Sequence, residues 1–449
     1  MTQDAAPPVP FRQAVAYWLK LGFISFGGPA GQISMMHQEL VERRRWISEH
    51  RFLHALNYCM TLPGPEAQQL ATYIGWLMHG TWGGIVAGAL FVLPSLLILV
   101  GLSWLYLAIG NVPLVAGILY GIKPAVIAVV LFAAYRIGSR TLKNAWPWTI
   151  AAAAFLAIFV LQMPFPYIVL AAALVGYLGG RRAPEKFRAG SGHGGDEHGA
   201  GPAIIDDHSP LPEHARFEWR RVWRYVATGL GLWLGVMAIL AAVYGWDGTL
   251  TRMAWFFSKA ALLTFGGAYA VLPYVYQGGV ETHHWLTGPQ MIDGLALGET
   301  TPGPLIMVVA FVGFVGGWTK EIFGPDSVAL AGVAGALVAT FFTFLPSFLF
   351  ILIGGPAVEA TRHDIKLTAP LTGITAAVVG VILNLALFFA WHTLWPQADG
   401  NDIFGGPFEW LSLMVATAAF IALWRYKVGI IPVIGACAAV GVAVTLLGL

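Results

Sequence analysis

Long apolar stretches dominate this chain: residues 83–109, 112–135, 148–180, 226–245, 328–357, 367–391 and 408–447. A helix of about 20 apolar residues crosses a bilayer, so each stretch is long enough to span and the longest hold two spans. Only 11% of the 449 residues are charged and 57% are hydrophobic, against roughly 25% charged in a soluble domain. This is the pattern of an all-α polytopic membrane protein. The opening MTQDAAPPVPFRQ has no basic n-region and no short apolar h-region, so no cleavable signal peptide is expected. Cys59 and Cys437 both lie in apolar sequence, which argues against a disulfide or metal framework. The net charge of +2 says little about partners; the lipid bilayer is one, and no nucleic acid is expected.

Within this apolar background the chain repeats itself. A shift of 239 residues brings Lys20 onto Lys259, Ser25-Phe26-Gly27-Gly28 onto Thr264-Phe265-Gly266-Gly267, Trp46 onto Trp285, Thr61 onto Thr300, and Pro63-Gly64-Pro65 onto Pro302-Gly303-Pro304. Between residues 26–65 and 265–304, 12 of 40 positions are identical. Further on the shift is 252, with Leu93-Pro94-Ser95 on Leu345-Pro346-Ser347 and Gly121-Ile122 on Gly373-Ile374. Shared hydrophobicity would match leucines, not Pro-Gly-Pro.

Charge gives the relative orientation of the copies, because cytoplasmic loops collect Lys and Arg. ERRRWISEHR (42–51) is basic, whereas its partner ETHHWLTGPQ (281–290) has no Lys or Arg. The neutral AIGNVP (108–113) corresponds to a loop with Arg362 and Lys366, and the basic RIGSRTLK (136–143) to the neutral region near 391–400. The sign reverses at each comparison, so two inverted-topology repeats are expected. The segments flanking FGG and PGP hold about 15 residues each, or roughly 22 Å of helix, too short to cross ~30 Å comfortably. Broken helices or re-entrant hairpins with these motifs at their tips keep every basic loop inside. That gives nine full crossings plus four hairpins, the N-terminus inside and the C-terminus outside. Residues 1–180 form the first repeat, 181–218 a flexible cytoplasmic linker, and 219–449 an extra helix plus the second repeat. His193, His198 and His208 of the linker have acidic neighbours and are weak metal candidates; a solvated linker is the simpler reading.

Inverted repeats with interrupted helices are the pattern of secondary transporters, and half-helix N-termini offer free N–H groups and positive dipole ends to an anion. Candidate substrate-binding residues are therefore Gly28, Gly64, Gly267 and Gly303 with Gly27 and Gly266, the hydroxyls of Ser25, Thr61, Thr264 and Thr300, and the duplicated Lys20 and Lys259. Each has a plainer alternative. Glycines allow close helix packing, hydroxyls bond the preceding turn, and lysines reach to the interface. Gln32, His37, Glu39, Glu66, Gln68, Gln69 and Glu299 also lie near the breaks without being duplicated; His37, Glu66 and Glu299 are candidates to carry a coupled proton. No GxxxxGK[ST] is present, so ATP-driven transport by this chain is not expected, and no cofactor is implied. A membrane enzyme is disfavoured, since no HExxH or comparable pair occurs. An anion channel stays open, as does a homodimer.

The segment SFGGPAGQISMMHQELVERRRWISEHRFLHALNYCMTLPGPEAQQLATYIGW closely resembles the first-half motif of the chromate ion transporter family, and TFGGAYAVLPYVYQGGVETHHWLTGPQMIDGLALGETTPGPLIMVVAFVGF its second-half motif. RRRWIS fits the first-half pattern at Arg44, Arg45 and Trp46; the second half has THHWLT, and Ala268 where the first has Pro29. The resemblance spans nearly the whole chain outside the linker. It implies efflux of chromate across the cytoplasmic membrane, giving chromate resistance, driven by the proton gradient or membrane potential. Chromate itself comes from the resemblance, and a sulfate or other oxyanion carrier is the alternative.

Overall fold

Helices begin and end where the sequence supplies caps and breakers. Ser48, Asn144 and Thr287 accept hydrogen bonds from N–H groups in the first turns of the helices they precede, the standard use of such side chains. A computed structural model describes residues 9–26, 28–110, 112–182, 203–206, 212–265, 267–360, 368–398, 402 and 404–447. Among these residues the regular structure is helical. In chain order the helices are α1 (Phe11–Ile24), α2 (Gly28–His37), α3 (Glu49–Thr61), α4 (Glu66–Ile109), α5 (Pro113–Thr141), α6 (Ala145–Phe159), α7 (Phe165–Arg182) and α8 (Trp219–Tyr244). They continue as α9 (Thr249–Leu263), α10 (Leu272–Tyr276), α11 (Gly288–Thr300), α12 (Val308–Thr319), α13 (Val328–Ala360), α14 (Thr368–Leu394), α15 (Trp410–Trp424) and α16 (Ile430–Leu447).

Among the described residues six stretches are long and apolar enough to cross a membrane: Glu66–Ile109, Pro113–Thr141, Trp219–Tyr244, Pro325–Glu359, Ala369–Leu394 and Ile430–Leu447. Nonhelical dihedrals at His79 and Gly80 divide α4 into a short arm and a long helix, the long helix containing the apolar run 83–109. Three of the nine expected crossings, α6, α7 and α15, are shorter or end in charge.

The two copies share local features. Each carries a π-helical turn, Gln38–Arg43 and Gln277–Thr282. Two residues beyond each turn stands a nonglycine residue with positive φ, Arg45 (54°) and His284 (49°). Trp46 N–H donates to Leu40 O and Trp285 N–H to Gly279 O, both at 2.8 Å. The copies also meet reciprocally. Gly121 of α5 abuts the Cys437 carbonyl and Gly441 of α16, while Gly373 of α14 abuts the Ala172 carbonyl and Gly176 of α7. Missing side chains at these crossings let the backbones touch. One apolar core gathers the first-copy arms with Ile351 and Leu352 of α13. The other gathers the second-copy arms with Val92, Leu96 and Leu99 of α4. Each long helix thus packs on arms of both copies.

Part of the expected linker is docked. Ile204 and Ile205 donate to the carbonyls of Arg45 and Trp46, both at 3.0 Å, and Ser48 N–H donates to Ile205 O at 3.0 Å. Ala215 is buried, and the His214 ring meets Trp76 edge-on. His193, His198 and His208 lie outside the described residues.

Candidate functional site

The four chain breaks meet in two pairs, each joining a break of one copy to a break of the other. α1 stops at Ile24, and α2 starts at Gly28 with φ 70°. In the second copy α9 stops at Leu263 and Gly267 (φ 96°) opens a 3-10 turn, Ala268–Val271, before α10. At the PGP motifs Gly64 has φ 128° and Gly303 φ 106°, values that L side chains rarely adopt. α4 follows the first motif directly, whereas a 3-10 turn, Leu305–Met307, separates the second from α12. Gly27 and Gly266 lie outside the described residues.

The breaks of one copy bind those of the other. Gly64 N–H donates to Thr264 O at 2.7 Å, and Gly303 N–H donates to Ser25 O at 2.9 Å. Residues 239 apart thus exchange the same bond in both directions. These glycine amides are engaged with backbone, which leaves other donors to face a ligand. The Gln32 amide braces one junction, donating to Ser25 O (3.0 Å) and Gly303 O (2.5 Å). Gln69 donates to Pro63 O at 2.8 Å beside the other. A Cβ on Gly303 would strike the Ser95 side chain, and one on Gly64 the Ser347 hydroxyl. Each PGP glycine therefore sits against the Leu-Pro-Ser serine of the opposite copy.

Several buried polar atoms in this region have no hydrogen-bond partner among the described residues: Ser25 Oγ, Ser95 Oγ, Gln68 Oε1 and Gln69 Oε1. Buried hydroxyls are seldom left unpaired. The first turn of α4 also leaves the N–H groups of Glu66, Ala67 and Gln68 without intrahelical acceptors, as every helix start does. The polarity is lopsided, since Gln32, Glu66, Gln68 and Gln69 correspond to Val271, Leu305, Met307 and Val308 in the second copy.

The other expected residues divide into groups. Thr61, Thr264 and Thr300 hydroxyls donate to carbonyls of their own helices, Tyr58 O, Ala260 O and both Ala296 O and Leu297 O. Of the four duplicated hydroxyl positions, Ser25 alone keeps its donor uncommitted. Lys20 and Lys259 are exposed on α1 and α9, and the Lys259 ammonium lies over the Trp255 ring at 5.6 Å. His37 is held between Glu49 (2.6 Å) and Glu42 (3.2 Å) at the rim of the hairpin. Glu66 is half-buried at the start of α4. Glu299 is buried and accepts a hydrogen bond from the Tyr269 hydroxyl. The structure thus brings Ser25 to Gly303 and Thr264 to Gly64, with Gly28 and Gly267 following Ser25 and Thr264 in the chain and Glu66 and Glu299 on the adjoining helix ends.

Sequence reasoning gives no role to Ser95 and Ser347, although the repeated Leu-Pro-Ser triplet carried the signal. It also misses pairings between distant segments. Tyr73 donates to Glu359 at 2.5 Å, Tyr120 to Glu409 at 2.8 Å, and Tyr106 to Asp293 at 3.0 Å.

Comparison with known proteins gives this geometry a context. The sequence profile of the chromate transporter family matches residues 12–177 and 251–442, so it spans both halves. A chromate transport protein of Pseudomonas aeruginosa is 32% identical over 98% of this chain and 94% of its own length. One from Cupriavidus metallidurans is 30% identical over 86% of this chain and 84% of its own. A probable chromate transport protein of Synechococcus elongatus is 30% identical over 86% of each. No solved structure matches. On this evidence the chain, with its FGG and PGP breaks in both halves, belongs to the chromate transporter family.

Proposed function

We propose that this protein is a secondary carrier that exports chromate from the cytoplasm and confers chromate resistance, with the oxyanion bound beside the paired breaks. In this reading the copies are inverted across the cytoplasmic membrane, the N-terminus and linker inside and the C-terminus outside. The observation that carries the proposal is the reciprocal junction of Gly64 with Thr264 and Gly303 with Ser25, flanked by the uncommitted hydroxyls of Ser25 and Ser95. Irregular backbone at membrane depth persists only where protein or a water-filled cavity surrounds it. Neutral hydroxyls and helix-start N–H groups suit a tetrahedral dianion without fixing its central atom, so sulfate is the natural competitor. Glu66 and Glu299 adjoin the tips and are the proposed sites of proton coupling; His37, paired at the rim, is the weaker candidate.

The test is chromate uptake into inside-out membrane vesicles, with sulfate as competitor and with the pH gradient collapsed. Saturable uptake above control membranes is expected, slowed by loss of the gradient. Uptake indistinguishable from control membranes would sink the proposal, and uptake indifferent to the gradient would remove proton coupling from it. Ser25→Ala and Ser95→Ala should each raise the half-saturating chromate concentration about tenfold, as loss of a hydrogen bond to a charged group does.

A further inference from the structure

Beyond the tips, a cavity of about 570 Å³ opens between α4, α5, α11 and α16. Its polar lining comprises Tyr106, Tyr120, Lys123, Gln290, Asp293 and Thr445. The Lys123 ammonium lies 3.8 Å from Asp293 Oδ2, with Lys123 about a third exposed and the Asp293 side chain 4% exposed. At that distance the pair is loose, and the ammonium keeps hydrogen-bond donors for the cavity. Asp293 Oδ2 also accepts from Tyr106, while its buried Oδ1 has no hydrogen-bond partner among the described residues.

Two helices lead from the tips to this cavity. On α4, Ser95 beside Gly303 and Tyr106 in the cavity wall are eleven residues apart, about three turns and nearly one face. On α11, Gln290 and Asp293 lie toward the helix start, and the helix ends at Thr300, three residues before Gly303. In the proposed topology the cavity faces outward, since it lies at the ends of α4 and α16 assigned to the exterior.

We propose that this cavity is a second, weaker oxyanion station on the outer side, with Lys123 as its cationic ligand and Asp293 as a fixed anion that competes with the passing dianion. The assignment rests on the oxyanion-carrier reading above. A station on an exit path must attract the ion and still let it leave. Lys123 supplies the attraction. Asp293 repels a dianion held at the same ammonium and reclaims Lys123 once the dianion departs. Room for a hydrated tetrahedral anion is ample in a volume within the usual range of ligand pockets.

The experiment uses inside-out vesicles, whose lumen faces the cavity. Labelled chromate uptake is measured while luminal unlabelled chromate is varied, and the luminal concentration that half-maximally alters the uptake rate is recorded. Lys123→Gln should raise that concentration about tenfold while the half-saturating concentration on the cytoplasmic side moves less than about twofold; Lys123→Arg should restore the wild-type value. Asp293→Asn should lower it and slow turnover, because release is hindered. Wild-type uptake with an unchanged luminal value in Lys123→Gln overturns the outer station and leaves the carrier reading standing, whereas absent wild-type uptake overturns both. Should Lys123→Gln fail to insert, Thr445→Cys in the otherwise unaltered chain decides. Its labelling by an impermeant thiol reagent in intact cells should be slowed by external chromate and sulfate. Labelling unaffected by either anion overturns the proposal.

Discussion

Arg44 and His283 occupy equivalent positions at the ends of the two π-helical turns, and each lies over the tryptophan two residues on. The Arg44 guanidinium is 4.9 Å from the Trp46 ring, and His283 stacks on Trp285 at 4.6 Å. One turn uses a cation and the other an aromatic ring in the same geometry. Each residue is tuned to its place. The hydrogen bond from Arg44 holds the Glu39 carboxyl below its ordinary value, and burial holds His283 below the usual imidazole range. Both shifts are depressions. Each therefore contributes stability that is present above the unfolded-state pKa and is lost as pH falls through the folded value. Melting temperature in detergent should decline first below the histidine range and again in the carboxylate range. His283→Phe, which keeps a ring on Trp285, should shrink the first decline, and Glu39→Gln the second. A pH series of thermal melts checks both; an undiminished first decline in His283→Phe would remove that residue from the account.

The elements that matter are the breaks rather than the helices. Gly64 combines φ of 128° with the Ser347 hydroxyl and Gln69 amide where a Cβ would stand. Gly64→Ala and Gly303→Ala should therefore lower transport per inserted molecule at least tenfold, since a disallowed dihedral alone costs on the order of 1–3 kcal/mol. Adding Ser347→Gly to Gly64→Ala removes a clash but not the strain, so recovery should be partial; initial uptake rates normalised to inserted protein measure this. The positions of these breaks were legible because glycine and proline mark broken helices directly. Their partners were not. Ser95 reaches Gly303 across 208 positions of sequence, and no local pattern announces such a contact. The π-helical turns were equally hidden, since residues 38–43 carry no residue type that distinguishes them from an ordinary helix end. Among the expected site residues, the threonines and lysines show how a duplicated side chain can serve its own helix or the protein exterior.

At the scale of the whole molecule, duplication and the apolar runs were legible early, since both are written in many residues at once. The order and extent of α5, α8, α14 and α16 follow those runs closely. The shorter α6, α7 and α15 are bounded by features within a few residues, such as the Asn144 cap and Pro164. The docking of Ile204 and Ile205 was less visible, being two apolar residues in a polar linker. The orientation of the copies rests on loop charge, and repeat-equivalent exposed positions test it. His50→Cys and Pro289→Cys should react with an impermeant thiol reagent from opposite sides of the membrane. Labelling of both from one side would end the inverted arrangement.

The paired bonds at the centre bear on leakage. An empty protein that parted its tips would strand two amides and two carbonyls away from water, each at roughly 1–3 kcal/mol. An oxyanion can accept from amides that have lost their carbonyl partners, so its presence offsets part of that cost. On the proposed carrier reading, the vacant molecule would thereby be held shut and the loaded one would be freer to rearrange. Variants that loosen this junction without abolishing folding should therefore betray themselves by slippage, passing protons or anions with no matched cargo.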